Sequence, residues 1–356
     1  MLIQTTFKPA WWLNNGHLQT MYSALLRKKL SLPELKRERL ITPDKDFIDV
    51  DWYGESGQPL IILLHGLTGS SQSGYITGLQ LKLLEQGFRS ITLNFRGCSG
   101  ESNHLAKCYH SGDTEDIHFL YQTLREREPD TPIAAVGFSL GGNVLLKWLG
   151  EQGSKLALFA AIAVSVPLVL NTCASKLDAG FSRLYRDNLL RELKRYIQLK
   201  LHHLEKLDNV HEAEKIRQLG DLSKINSFWQ YDDRVVAKLH GFKNVHDYYQ
   251  RSSSRQFLKS IAVPTLVIQA RDDPFMTQDV LPDPDELSAC VDLEITSGGG
   301  HVGFVAGQIP FKPHYWLEQR IPEFLKQQVN LASPESISSK LYKKPEALNK
   351  LKHYGK

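Results

Sequence analysis

Short apolar runs alternate with longer amphipathic stretches over much of the chain. Residues 60–64, 90–95, 133–137, 158–164, 265–270 and 291–296 are aliphatic or β-branched and bounded by turn-forming residues, which predicts buried strands. Between the first four lie stretches at 75–86, 116–126 and 143–149 whose apolar positions recur at helical spacing. Strand followed by helix, repeated, requires crossover connections and so a mostly parallel sheet covered on both faces. An earlier stretch, 46–52, alternates Phe47, Asp49 and Asp51 with Ile48, Val50 and Trp52, and reads as a half-exposed strand at one edge of that sheet.

The alternation stops after Pro167 and resumes at Pro264. Within the gap Tyr185, Leu189, Leu193, Ile197 and Leu201 recur every four residues, the signature of one helix face. The expectation is a helical insertion over one edge of the sheet. It carries seven basic residues between Arg183 and Lys206 against three acidic ones, which is either a solvated face or a surface for anionic substrates or lipid headgroups. The boundaries expected are an N-terminal arm over 1–40, a core over 41–166 and 256–328, the insertion as a cap over 167–255, and a basic C-terminal tail over 329–356.

Charge changes this picture little. Of a formal net charge of +4, the segment from Lys340 to Lys356 contributes six lysines against the single acid Glu346, so the folded body is close to neutral. A nucleic-acid-binding domain would carry its positive charge as a stripe on the body, so that class of partner is not expected. The four cysteines, Cys98, Cys108, Cys173 and Cys290, fit no zinc or redox spacing and suit a reducing compartment. The longest apolar run, 156–170, is broken by Ser165 and Pro167 and falls short of the roughly 20 residues that span a bilayer. The first residues lack a basic start followed by a long apolar stretch, so no secretory leader is expected. These features together predict a cytoplasmic protein without a transmembrane segment, and leave peripheral contact with lipid open.

The chemistry gathers after the predicted strands. Gly137-Phe138-Ser139-Leu140-Gly141 follows the strand at 133–136 directly and precedes a helix. A turn that tight strains the serine backbone, needs small neighbours, and lifts the hydroxyl off the sheet with the Leu140 N–H at a helix N-terminus. A serine needs a base, and His301, at the end of Gly298-Gly299-Gly300, is the histidine placed after the last predicted strand. The base needs an acid, and Asp272 and Asp273 follow the strand at 265–270; residue type alone does not choose between them. His65-Gly66-Leu67-Thr68-Gly69 follows the strand at 60–64 and can turn the Leu67 N–H toward Ser139 as a second oxyanion donor, with His65 bracing the loop. Asp113 and Asp116 are expected to cap the helix they precede. His202, His203 and His211 are expected on the surface of the insertion.

With serine, acid and histidine in that chain order, the sequence resembles the α/β-hydrolases, and in particular the YheT-like bacterial hydrolases and their eukaryotic esterase and phospholipase relatives. The resemblance spans roughly residues 10–325 through Asn15-Gly16-His17-Leu18-Gln19-Thr20, the His65 loop, Asn94-Phe95-Arg96-Gly97, the Ser139 turn, His240-Gly241-Phe242, Asp272-Asp273-Pro274 and Gly300-His301. It implies an α/β fold with a central sheet of about eight strands, and it favours Asp273 as the acid. The activity expected is hydrolysis of short- to medium-chain or lipid-like esters through an acyl-enzyme, with Ser139, Asp273 and His301 catalytic and the Leu67 and Leu140 N–H groups as oxyanion hole. No metal or cofactor is expected. Thioester hydrolysis or acyl transfer on the same site, or a non-catalytic binding protein with this fold, are the alternatives. The segment 14–20 is a signature to which the sequence assigns no chemical role, and anchoring of the N-terminal arm onto the core is its expected one.

Overall fold

A computed structural model of the protein describes residues 1–27, 32 and 35–332. The tail expected over 329–356 therefore lies outside the described residues from 333 onward. The predicted strands form the middle of one nine-stranded sheet. In chain order these are β1 (Leu2–Ile3), β2 (Lys36–Ile41), β3 (Phe47–Tyr53), β4 (Leu60–Leu64), β5 (Arg89–Asn94), β6 (Ile133–Phe138), β7 (Leu158–Val164), β8 (Thr265–Ala270) and β9 (Val291–Thr296). Their order across the sheet is β1-β9-β8-β7-β6-β4-β5-β3-β2, antiparallel only where β3 meets β5 and β2. Residues 1–40, read from sequence as an arm, thus add a strand at each edge. Neither strand was legible as one: β1 is two residues long, and β2 reads Lys-Arg-Glu-Arg-Leu-Ile.

Strand pleating explains the two cores. Along β4, Leu60, Ile62 and Leu64 point to one face and Ile61 and Leu63 to the other, and all five are fully buried. The first face packs on α3 (Glu115–Arg127) and α4 (Leu140–Gln152) through Ile117, Leu120, Val144 and Trp148. The second packs on α2 (Gly74–Glu85) and α11 (Leu317–Ala332) through Ile76, Leu79, Leu83, Ile321 and Phe324. Ahead of these, α1 (Gly16–Met21) lies in the N-terminal segment. A small ribbon of β10 (Val305–Ala306) and β11 (His314–Tyr315) follows β9.

Two expectations change. The strand expected at the edge, β3, is internal, and its aspartates are buried: Asp49 and Asp51 receive paired hydrogen bonds from Arg39 and Arg37 on β2 at 2.7–2.9 Å. Alternating polarity here marks buried aspartates paired with partly exposed arginines rather than a solvated face. Nor does Asp116 cap α3. Its carboxylate takes two hydrogen bonds from Arg96, at 2.8 and 2.7 Å, and the same guanidinium reaches Asp44 at 2.7 Å and Asp46 at 3.5 Å. The N-cap position of α3 is Thr114, and Asp113 is buried behind it, its carboxyl pushed up to about 7 by burial and the neighbouring Asp116.

The predicted insertion is helical. It comprises α5 (Leu170–Leu177), α6 (Arg183–Lys206), α7 (Val210–Arg217), α8 (Phe228–Tyr231), α9 (Lys238–His240) and α10 (Val245–Ser252). These helices enclose their own core of Leu190, Leu193, Ile197, Leu204, Ile216, Val235 and Tyr248. Polar bonds tie it to the loop after β5. The buried Lys200 ammonium donates to the carbonyls of Leu105 and Lys107 at 2.8 and 2.9 Å, Tyr196 donates to the Arg96 carbonyl, and Glu212 accepts the Ala106 N–H. Burial lowers the Lys200 ammonium to about 8, and bonds to two carbonyls offset part of that cost.

Arg96 pairs with three carboxylates, two of them buried. Arg96→Met should cost about 3–5 kcal/mol, because it strands buried anions rather than merely losing a bond. Urea denaturation checks this, and a loss below about 1 kcal/mol would show that the cluster is solvated.

Candidate active site

The turn between β6 and α4 is as sharp as its glycines allow. Ser139 has φ 52° and ψ −120°, a region that L-residues resist at a cost of about 1–3 kcal/mol. A Cβ at Gly137 would strike the Gly141 backbone, and one at Gly141 would strike the carbonyls of Leu64 and His65. The strain is held by the Ser139 N–H donating to the Val164 carbonyl at 2.8 Å and by the burial of almost every residue of α4. The hydroxyl is consequently raised at the carboxyl ends of β4, β6 and β7.

Three expected residues meet there. His301 Nε2 lies 2.8 Å from Ser139 Oγ, and His301 Nδ1 lies 2.8 Å from Asp273 Oδ2. An ionised carboxylate only accepts, so Nδ1–H donates to Asp273 and Nε2 is left to accept the serine proton. The Asp273 side chain is about 1% exposed and its other oxygen accepts the Phe275 N–H at 2.8 Å, which fixes its plane. The Phe275 ring stacks on the imidazole, 4.0 Å between centroids and 3° from parallel. Asp272 plays a different part, since its carboxylate accepts the Gly300 N–H at 2.9 Å and so shapes the loop before His301. Burial pushes the Asp272 carboxyl up, and the Gly300 N–H opposes the shift.

The β4 loop is braced as expected. His65 Nε2 accepts the Phe95 N–H at 3.1 Å, so Nδ1–H donates to the Gly66 carbonyl at 2.8 Å. Complete burial holds the imidazole down to about 4. On either side of Leu67 the backbone is occupied, with Gly66 N–H donating to Tyr75 and Thr68 N–H to Tyr109. Leu67 and Leu140 both line the cavity that holds Ser139 and His301.

The N-terminal segment supplies what sequence reasoning missed. The Thr20 hydroxyl accepts the His301 N–H at 2.8 Å and donates to the Gly16 carbonyl at 2.7 Å. Gln19 is fully buried; its amide donates to the carbonyls of Leu13 and Val305, and its oxygen accepts the Val305 N–H at 2.7 Å. Gly16 packs so closely on Asp272 that a Cβ would overlap its carbonyl oxygen. The Ser165 hydroxyl, just past β7, accepts the Val302 N–H. Segment 14–20 therefore clamps the His301 loop on both sides. Partners separated by 281 residues leave no trace in periodicity.

Ser139 and His301 open into a cavity of about 810 Å³. One part of its wall is apolar, from Leu170, Ala174, Leu177, Leu184 and Phe228 of the insertion, and Tyr185 contributes a ring beside Phe275. Of the other insertion aromatics, Tyr196 and Tyr231 are packing residues, and Trp229 packs on Tyr249. The basic residues of α6 do not line the cavity: Arg191 and Arg195 point to solvent, and Arg186 pairs with Asp178 and Asp187. His202 is exposed and His211 largely so, whereas His203 is half-buried and stacks on His104. All four cysteines are free, and among the described residues no group of histidine, cysteine and carboxylate side chains could hold a metal ion. No helix among the described residues is long and apolar enough to cross a membrane.

A serine on a strained strand-to-helix turn, with aspartate and histidine arriving from later strand ends of a mostly parallel sheet, defines the α/β-hydrolase class. Residues 59–308 match the alpha/beta hydrolase fold family, and the chain belongs to it. It is 38% identical to the Escherichia coli K12 protein named "Putative esterase YheT", over 90% of this chain and 92% of that one. It is 29% identical to the human phospholipase ABHD3, over 88% of this chain and 77% of that one. The Pyrococcus furiosus esterase Pf2001 shares the fold at a TM-score of 0.52 and 18% identity, covering 85% of this chain and 98% of that one.

Two outcomes test the site as a piece of physics. Thr20→Val should slow the reaction of Ser139 with a fluorophosphonate by about tenfold or more, since small displacements of a base are costly, while Thr20→Ser restores the rate. Equal rates in all three proteins would reduce Thr20 to a folding contact. In a histidine-labelled NMR sample, the His65 ring should keep its neutral shifts from pH 8 to pH 5, in line with a value near 4. Titration near pH 6.5 would show that the loop opens.

Proposed function

We propose that this protein is a serine hydrolase that cleaves carboxylic esters through an acyl-enzyme. The observation that carries the reading is the unbroken chain from Asp273 through His301 to Ser139, at 2.8 Å per link, ending in a large cavity. In this mechanism Ser139 Oγ attacks the ester carbonyl as its proton passes to His301 Nε2, and Asp273 stabilises the imidazolium. The N–H groups of Leu67 and Leu140 receive the developing oxyanion, the second reinforced by the N-terminus of α4. His301 then protonates the departing alcohol. Water enters, gives a proton to His301 and attacks the acyl carbonyl, and Ser139 leaves with that proton restored.

The apolar wall suits an acyl chain, and α5 to α10 act as the cap that shields it. At the rim, Leu25, Phe181 and Leu184 are exposed by 75, 48 and 60%, an entrance suited to short- and medium-chain esters and to lipid-like ones presented at a surface. The relatives named as esterase and phospholipase support the same class of bond.

Ser139→Ala should lower turnover of a p-nitrophenyl ester by about four orders of magnitude while leaving thermal unfolding in place. Intact-mass analysis after fluorophosphonate treatment should show one adduct in the native protein and none in the variant. Wild-type turnover in Ser139→Ala, or no hydrolysis at any acyl length from two to about twelve carbons, would refute the assignment.

A further inference from the structure

The cavity has a second, polar region that ester cleavage does not use. Ser111, Asp232 and Tyr249 line it together, although they come from the loop before α3, the helical segment Asp232–Ala237 that continues α8, and α10. Tyr249 donates its hydroxyl proton to Asp232 Oδ2 at 2.7 Å, and among the described residues no donor reaches Oδ1. Asp232 is half-buried and lines the cavity, so a ligand there can reach its carboxyl. This corner is rigidly joined to the reactive serine. Asn143, one turn of α4 beyond Ser139, donates to the carbonyls of Ser111 and Ser252, both at 2.8 Å, and accepts the Ser254 N–H.

The charges around it are one-sided. No lysine or arginine lines the cavity among the described residues, and Asp232 is the one carboxyl that does. A carboxyl set among Tyr249, Phe228 and Leu170 loses hydration without gaining a counter-charge, and burial accordingly pushes it up to about 7, against the pull of the Tyr249 bond. Such a group is stabilised by a ligand that brings a proton donor or a positive charge, and it repels a ligand that brings another carboxylate. Because this carboxyl lines the cavity with one oxygen unbonded, it is placed to recognise what enters.

We propose that Asp232, held by Tyr249, is a specificity residue that selects substrates bearing a hydroxyl or ammonium group and excludes those bearing a carboxylate there. The proposal rests on the reading above only in taking this cavity as the substrate's place. It deepens that reading by specifying the substrate class: an ester with an apolar chain and a separate hydrogen-bond-donating group, rather than a plain fatty ester or a half-ester of a dicarboxylic acid.

Binding without chemistry tests it. Isothermal titration of the full-length protein with n-octylammonium, octan-1-ol and octanoate should give n-octylammonium binding about tenfold or more tighter than octanoate, with octan-1-ol between. In Asp232→Asn, which keeps the shape and an acceptor for Tyr249, that ratio should fall to about one. Asp232→Leu, suited to the apolar lining, serves the same purpose should the asparagine variant not fold. A ratio that stays the same in either folded variant, or tighter binding of octanoate by the wild type, overturns the proposal. Hydrolysis of p-nitrophenyl octanoate by the wild type is read in parallel. A ratio that depends on Asp232 in a protein that cleaves no ester upholds the recognition point and removes the esterase reading. Cleavage with a ratio indifferent to Asp232 does the reverse.

Discussion

The left-handed backbone at Ser139 is the constraint on which the rest of this structure is arranged. A φ of 52° at a residue with a side chain is unfavourable, and it persists because every alternative is blocked. Gly137 and Gly141 allow β6 and α4 to approach where no larger residue fits, and the β4 loop lies directly against them. The same crowding that strains the turn keeps its hydroxyl from rotating into the sheet. Strain is thus the means by which a flexible, weakly nucleophilic side chain acquires one position, and the buried faces of α4 supply the energy that maintains it.

Holding the serine still is useless unless the imidazole is equally fixed, and here the fold solves a harder problem. His301 sits beyond the sheet on a glycine-rich loop, with positive φ at Gly299, Gly300, Val302 and Phe304. Such a loop is pliable by itself. It is fixed from outside by backbone N–H groups bound to side chains of three other segments: Gly300 to Asp272, His301 to Thr20 and Val302 to Ser165. Three consecutive residues thus have their N–H groups claimed, and the ring is pressed from the side by Phe275. The adjacent aspartates divide the work, one orienting the ring and one orienting the loop that carries it. The N-terminal segment belongs to this apparatus as much as the sheet does, because removing the Thr20 hydroxyl would leave both the His301 N–H and the Gly16 carbonyl without their partner.

What the sequence made legible follows the range of the forces involved. Strands β4, β7 and β8 have the limits that their apolar runs predict, because burial on both faces makes hydrophobicity define them, and β9 keeps its predicted limits although Asp292 and Glu294 interrupt its run. The Ser139 turn was equally plain, since local sterics dictate its glycines. Edge strands were not visible: β2 is charged because Arg37 and Arg39 neutralise aspartates on β3, a requirement imposed by a partner strand. Asp116 looked like a cap because it sits in the first turn of α3, while its partner Arg96 comes from the loop after β5. Distinguishing the roles of Asp272 and Asp273 required knowing which N–H groups and ring nitrogens come near them, and that is a property of the assembled loops.

Buried charge is treated in opposite ways in two parts of the molecule, and the contrast identifies where structure gives way to function. Around Arg96 a guanidinium answers carboxylates with short, paired bonds, which raises the hold on its proton and leaves the cluster saturated. Asp232 is answered by one neutral hydroxyl. What sets Asp232 apart from Asp113, a buried carboxyl pushed up as far, is that Asp232 lines the cavity, so on the proposed reading its further partner comes from what enters. On the proposed reading the site has two halves with separate duties: the Asp273, His301 and Ser139 chain acts on the acyl carbonyl, and the polar corner held to α4 through Asn143 selects the molecule placed beside it.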